Sequence, residues 1–493
     1  MANEPIDVAG GHHAVRDREW RFLVDGELRG AVNGGAFERI SPFTRDAIAT
    51  VPNGDAADAE AIAEAAWAAR KGWARTPMPE RVAAVNRAAD IIEAHREELA
   101  FLDAIDAGST LANARQDIGF ALAHMRLFAG LAMEVKGATI PASRGLHLTV
   151  REPVGVVLRI VPFNHPFMFA AKVFTAILAG CPAILKAPEV APLSALRMGE
   201  LLRDVFPAGV LQVATAQGRE LADTLVRHRH VHKIAFIGSE QTGAAISRAA
   251  AESGFKRVSL ELGGKNAMIV FDDADLEQAA QGAIAGMNFT WSGQSCGSNS
   301  RLLVHRSVHD ALVERIARKL EGHRLGDPLD PAAQQGTVIH ERHYDSVMGY
   351  IEVARQEGGT IVVGGEKPTD PALGDGLFVP PTVITGLPLD GRVVQEEIFG
   401  PVLSVIPFDT EEEALGIANS LDYGLTASVW TRDISRALRV VHEVEAGFTW
   451  VNDSSKQFLN VPYGGVKSSG MGREESMEEL LSYTELKTIN INY

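Results

Sequence analysis

Cys296 stands in "GQSCGSNSR", residues 293–301, and is one of two cysteines in 493 residues. Its neighbours Ser295 and Gly297 are small. A structural cysteine packs as a small hydrophobe among aliphatic residues. A nucleophilic one needs space for a substrate carbon and surroundings that favour the thiolate. The local composition leans to the nucleophile. Glu261 lies in "LELGGKN", residues 260–266, at the end of an apolar run before a glycine pair. A carboxylate there is partly desolvated and has a raised pKa, which suits a general base; the alternative is a buried Glu satisfied by backbone amides. Asn164, in "VPFNHPF", follows an apolar strand-like run. Its amide can donate to a developing oxyanion, or it is only a turn residue.

Two further segments have the chemistry to hold a nucleotide. "HKIAFIGSEQTGAAI" runs as a buried strand into Gly238, Ser239 and Gly243 and then a helix. N–H groups at such a helix start bind diphosphate, although glycines five apart are not the G-x-G-x-x-G fingerprint. A steric need for glycine at the turn explains them equally well. In "LKAPE", Lys186 can donate to ribose hydroxyls and Glu189 can accept from them. The two also read as a surface ion pair.

These residues require a scaffold, and the chain is long enough for two or three domains. With 46% hydrophobic and 22% charged residues it has the composition of a globular protein. A net charge of −16 argues against a nucleic-acid or anionic-membrane partner. The first twenty residues show no signal-peptide pattern, and no apolar run is long enough to span a bilayer. Two cysteines make no disulfide framework and lack metal-ligand spacing. A cytoplasmic enzyme without a metal is expected.

"REWRFLVDGELR" reads as strand, Asp-Gly turn, strand. From Asp55 to about Leu131, Ala, Ile and Leu recur at spacings of three and four, which predicts helices. "KGATIPASRGLHLTVREPVGVV" predicts a β-hairpin. The runs "VGVVLRIVPF", "PAILKAP", "VLQVATA" and "HKIAFIG" alternate with helix-length segments, the rhythm of βαβ units in a doubly wound sheet. A second α/β stretch begins near Gly263, and "YTELKTININY" ends the chain as an exposed strand that wants a partner.

Taken together, "LELGGKN", "GQSC" with Cys296 35 positions after Glu261, "EEIFGPV" at 396–402 and "PYGGVKSSGMGRE" at 462–474 resemble the aldehyde dehydrogenase superfamily, in its order and over nearly the whole chain. The resemblance implies Cys296 as nucleophile, Asn164 with the Cys296 N–H as oxyanion donors, and Glu261 as the base for water. Lys172 and Glu474 match a proton route, although Lys172 stands one residue nearer Asn164 than is usual. Another departure is Gly297, where many relatives carry Thr or Cys. Lys186 and Glu189 match adenosine-ribose contacts, with Glu189 favouring NAD over NADP. Pro162, Gly238, Ser239, Leu262, Gly263, Glu397 and Phe399 match further cofactor contacts.

The implied fold is α/β. A Rossmann-like NAD-binding domain spans 1–131 and 152–262, and an α/β catalytic domain spans 263–470. A small β oligomerisation arm from 132–151 and 471–493 would support a homodimer or homotetramer. A small aldehyde is the expected partner. Phe163, Met168, Phe169, Trp291, Ser295, Gly297 and Tyr463 are expected near its tunnel, which suggests an aromatic or medium-chain aldehyde. Asp453, Lys456, Gln457 and Asn460 add polarity for a hydroxylated or charged one, unless they face solvent. The rivals are a CoA-acylating semialdehyde dehydrogenase, which generally does without a base at the position of Glu261, and a non-catalytic relative.

Overall fold

The computed structural model describes residues 6–493. The first hairpin pairs Phe22–Val24 with Glu27–Arg29. Asp25 and Gly26 both have positive φ, +53° and +79°, the mirror-image turn whose twist matches the strands. The helical stretch divides into Ala56–Arg75, Met78–Ala94, Arg96–Ala107 and Leu111–Leu131. Asp55 caps the first with a reciprocal bond to Asp58, and Thr110 caps the last by accepting from the Asn113 N–H.

The first of these helices packs on an eight-stranded sheet, and the other three pack on helices that connect its strands. From one edge its strands are Gly470–Met471, Arg257–Glu261, Val231–Ile237, Val156–Ile160, Ala183–Lys186, Leu211–Ala214, Phe22–Val24 and Glu27–Arg29. The five from Arg257–Glu261 to Leu211–Ala214 are parallel, and the predicted βαβ rhythm is the rhythm found. The chain starts at Val156–Ile160, steps outward twice, and returns to lay Val231–Ile237 on the opposite side. That reversal makes a switch point, and ligands of open α/β sheets bind outside the carboxyl ends of the strands there. The ends of these strands carry Pro162 and Asn164, Lys186, Gly238 and Ser239, and Glu261.

A second sheet of seven strands runs Thr360–Val363, Thr382–Thr385, Val402–Phe408, Arg301–His305, Ala267–Val270, Thr426–Trp430 and Phe448–Val451. All are parallel except Thr360–Val363. Its strands present their amino ends to the site: Gly263–Asn266 leads into Ala267 and the Cys296 loop leads into Arg301. Both sheets bury near-continuous aliphatic runs, as parallel strands covered on two faces require.

The predicted hairpin is Thr139–Ile140 with Leu146–Pro153. The C-terminal strand Thr484–Ile491 finds its partner within the chain, pairing antiparallel with Leu146–Pro153. Among the described residues no helix is long and apolar enough to cross a membrane.

Candidate active site

Asn266 of "LELGGKN" sets the position of the nucleophile loop. Its Nδ2 donates to the Cys296 carbonyl at 2.7 Å and to the Ser298 carbonyl at 2.9 Å, and its Oδ1 accepts from the Thr426 N–H. Gly293 is required by its surroundings: it has φ +66°, and a Cβ there would lie 2.3 Å from the Gly400 carbonyl group of "EEIFGPV". Two motifs distant in sequence thus fit together backbone to backbone. Cys296 is half-buried against Leu425, Phe448, Trp450 and Tyr463, at the wall of a cavity of about 520 Å³. Burial first, then Glu397 and Glu261, push its thiol up to about 12.

Asn164 turns its Nδ2 to the Gln294 carbonyl at 2.9 Å, two residues before the cysteine, and keeps a second N–H on that nitrogen. Its Oδ1 is buried without a partner, and among the described residues the Cys296 N–H donates to no other group. Glu261 ends the strand Arg257–Glu261 and is buried, with Oε2 unpartnered. Burial first and Glu474 second raise its pKa well above 4.5, against the pull of Lys172, Arg473 and Arg159. A buried carboxyl with a free oxygen is a base held ready for a proton.

Lys172 and Glu474 do meet. Lys172 Nζ lies 2.7 Å from Glu474 and 2.5 Å from Glu475, while Arg159 lies 2.9 Å from Glu474. All four are buried. Burial works to raise the Glu474 pKa, but Arg159 and then Lys172 outweigh it and hold the carboxyl to about 2. For Lys172 burial works downward, and Glu474 and Glu475 overcome it, so the ammonium stays protonated. A charged network therefore lies behind Glu261 and acts on its titration.

The residues matched to a cofactor lie side by side. The Gly238 N–H donates to the Glu261 carbonyl, and the Val161 N–H to that of Lys186. Ser239 caps the helix Glu240–Glu252, whose first turn is exposed. A Cβ at Gly238 would lie 2.4 Å from the Phe236 ring, so the approach to that helix start stays free of side chain. Lys186 is buried and its pKa is lowered by burial; Glu189 accepts from the Gly218 N–H at 2.8 Å. Pro162 is half-buried in the crevice, and Leu262 donates its N–H to Ser469. A Cβ at Gly263 would fall 2.2 Å from Glu397 Oε2, so a side chain there would displace that carboxylate. Glu397 accepts from the Gly264 N–H, and burial raises its pKa to about 7. Phe399, held at φ +56°, stacks edge-on against Phe163 at 5.9 Å. Open helix N–H groups, a side-chain-free turn and carboxylates able to accept hydroxyls fit a dinucleotide.

Of the residues expected near a tunnel, Met168, Phe169, Trp291, Ser295, Gly297, Lys456, Gln457 and Tyr463 line the cavity. Phe163 does not line it; it packs among Phe399, His340 and His343. Asp453 is spent on an ion pair with Lys456 at 2.9 Å, and the Asn460 N–H is bonded to the Glu475 carbonyl. Sequence reasoning missed Gln116, Asp117 and Phe120 from the helix Leu111–Leu131, together with His165. The spacing 116, 117, 120 on an amphipathic helix was the available signal for the first three. Asn266 was also missed, although it stands within a quoted motif.

The model of the aldehyde dehydrogenase family matches residues 31–489. Aldehyde dehydrogenase tropH of Talaromyces stipitatus is 43% identical, over 96% of this chain and 93% of its own. Betaine aldehyde dehydrogenase of Cereibacter sphaeroides is 38% identical over 95% of this chain and 94% of its own. Among solved structures, the NAD+ complex of aldehyde dehydrogenase from Bacillus cereus superposes with a TM-score of 0.95 at 37% identity, covering 99% of this chain and 100% of that one. The chain belongs to the aldehyde dehydrogenase family, oxidoreductases that act on aldehydes.

Proposed function

We propose that this protein oxidises an aldehyde to a carboxylic acid with NAD, through a thiohemiacetal and then a thioester on Cys296. The observation that carries this reading is the meeting of three separate segments at the nucleophile: Cys296 lines the cavity, Asn164 bonds the Gln294 carbonyl two residues before it, and the buried Glu261 carboxylate acts on its thiol. The thiol is too weak an acid to be ionised in advance, so its proton leaves as sulfur attacks the aldehyde carbon, with Glu261 as acceptor. The oxygen becomes an alkoxide held by the free Asn164 N–H and the Cys296 N–H. Each such donor contributes about 3 kcal/mol to the barrier reduction. NAD, when bound along Lys186, Glu189, Ser239 and Glu397, supplies the acceptor for the hydride that leaves the former aldehyde carbon. Glu261 gives the thiol proton up to solvent and then takes one from water as its oxygen attacks the thioester; the C–S bond breaks, and the leaving sulfur takes the proton from Glu261 to restore the thiol. Lys172 and Glu474 stand behind Glu261, both held charged, and act on its titration.

The buried, partnerless Oε2 of Glu261 favours water over CoA as acyl acceptor. The aromatic cavity favours an aromatic or medium-chain aldehyde, and Lys456 and Gln457 add polarity for a hydroxylated or charged one. The free outer edge of Thr484–Ile491, with Leu486 and Ile491 exposed, supports a homodimer or homotetramer, to be read by analytical ultracentrifugation.

The test is NADH formation against an aldehyde panel, with and without CoA, using Cys296→Ala as control. Free acid as product and no activity in the variant are expected. Acyl-CoA as product, or a fully active variant, overturns the reading.

A further inference from the structure

His165 and Asp117 come from segments 48 positions apart and meet in the cavity wall, with His165 Nδ1 2.8 Å from Asp117 Oδ2. A carboxylate only accepts, so this bond places the proton on Nδ1. In the neutral ring the lone pair is then on Nε2, the atom at the opposite end. Among the described residues Nε2 has no hydrogen-bond partner, and His165 lines the cavity. The ring is fixed in place: Phe169 meets it edge-on at 5.6 Å, and Trp291 lies 5.6 Å away at 47°. Asp117 is 95% buried by the same packing, with a relative exposure of 5%.

Phe120, Phe169, Trp291, Trp450 and Phe458 bring five aromatic side chains to the same cavity, beside polar ones such as Gln116, Ser455 and Gln457. A flat aromatic ligand packs among these rings, and the oriented lone pair of His165 is suited to accept from a hydroxyl that it carries. An anion gains little from it, because the Asp117 carboxylate stands directly behind the ring. We propose that the preferred substrate is a ring-hydroxylated aromatic aldehyde, whose hydroxyl donates to His165 Nε2, with Asp117 as the residue that positions the ring. This rests on the aldehyde-oxidising reading above and names the substrate class for the same site.

The experiment compares kcat/KM for the three hydroxybenzaldehydes with benzaldehyde and the matching methoxybenzaldehydes, in the wild type, His165→Phe and Asp117→Asn. The wild type is expected to prefer at least one hydroxy isomer by about tenfold, the usual size of one hydrogen bond read against its absence. His165→Phe should abolish that ratio. Asp117→Asn should lower it, because the amide can turn its NH2 toward Nδ1 and move the ring proton to Nε2, making a donor where an acceptor was. A general loss of folding lowers all substrates together and leaves the ratio standing. A ratio within twofold of wild type in active His165→Phe overturns the proposal. If no aldehyde is oxidised at all, the parent reading fails, and calorimetric binding of the hydroxybenzyl alcohols against benzyl alcohol still decides this one. Tenfold weaker hydroxyl-dependent binding in His165→Phe supports the proposal, and equal binding overturns it.

Discussion

Glu261→Gln is the most informative single change, because it keeps the shape of the side chain and removes only its capacity to take a proton. The structure sets the size of the effect. With the thiol at about 12, a pre-formed thiolate at pH 7 has a population of about 10⁻⁵, a cost of about 7 kcal/mol. Proton removal must therefore accompany attack, and Glu261 is the buried base whose charge acts on Cys296. General-base assistance contributes about 10²–10⁴-fold, or about 3–5 kcal/mol. Turnover in the variant should fall by that factor. Stopped-flow NADH traces separate the two uses of the base. If Glu261 serves only hydrolysis, a burst of one NADH per site survives and only the steady rate falls; if it also takes the thiol proton, the burst slows as well. The pH dependence has a definite sign. A carboxyl whose pKa is raised is protonated, and inactive as a base, until the pH exceeds that value, so wild-type turnover should climb with pH through a midpoint above the ordinary 4.5. The variant should lose that limb. Turnover within tenfold of wild type, with the acid limb unmoved, would refute the assignment.

The same substitution bears on stability. The unfolded Glu261 ionises near its ordinary value and the folded one only at higher pH, so the wild type loses stability as pH rises between them. Glu261→Gln should raise Tm at pH 8 and leave it nearly unchanged at pH 4; a calorimetric gain equal at both pH values counts against burial as the cause. Lys172→Met leaves Glu475 with no cation within ion-pair distance and Glu474 with Arg159 alone. Breaking such a buried pair costs about 3–5 kcal/mol, to be read in urea unfolding. Because Lys172 draws the Glu261 pKa down, the acid limb should also move to higher pH; an unmoved limb would separate the network from the base. Gly263→Ala places a methyl 2.2 Å from Glu397 Oε2, which must swing off the Gly264 N–H. A rise of about tenfold in KM for NAD is expected from steady-state kinetics, and an unchanged KM would remove Glu397 from the cofactor site.

What the sequence made legible is what short-range pattern encodes. The βαβ rhythm follows from buried parallel strands, each a short β-branched run, and the order of motifs fixed the family. Cys296, Glu261 and Asn164 stood out because each is a reactive type in a segment too small or too apolar to need it for packing. Pairings between segments had no such signal. His165, between Asn164 and Pro166, carries no signal of its own until Asp117 is seen bonded to it, and Phe163 reads as a tunnel residue until Phe399 and His343 are seen to enclose it. Asn266 looks like the tail of a glycine motif, and only the fold shows that it grips the nucleophile loop.

Lys172 shows how a break in a helix aims a side chain. On a continuous helix its side chain could have pointed elsewhere. Instead the helix breaks there, into Pro166–Ala171 and Val173–Leu178. The Lys172 N–H bonds back to Phe169 and its carbonyl accepts from Thr175, both three residues apart, which is the tighter 3₁₀ spacing. Three residues per turn in place of 3.6 rotate the side chain farther for each residue used. From that break the ammonium reaches Glu474 and Glu475. The driving force is electrostatic, since a buried Lys aimed anywhere else would leave its own charge and Glu475 desolvated and unpaired, and Glu474 with Arg159 alone.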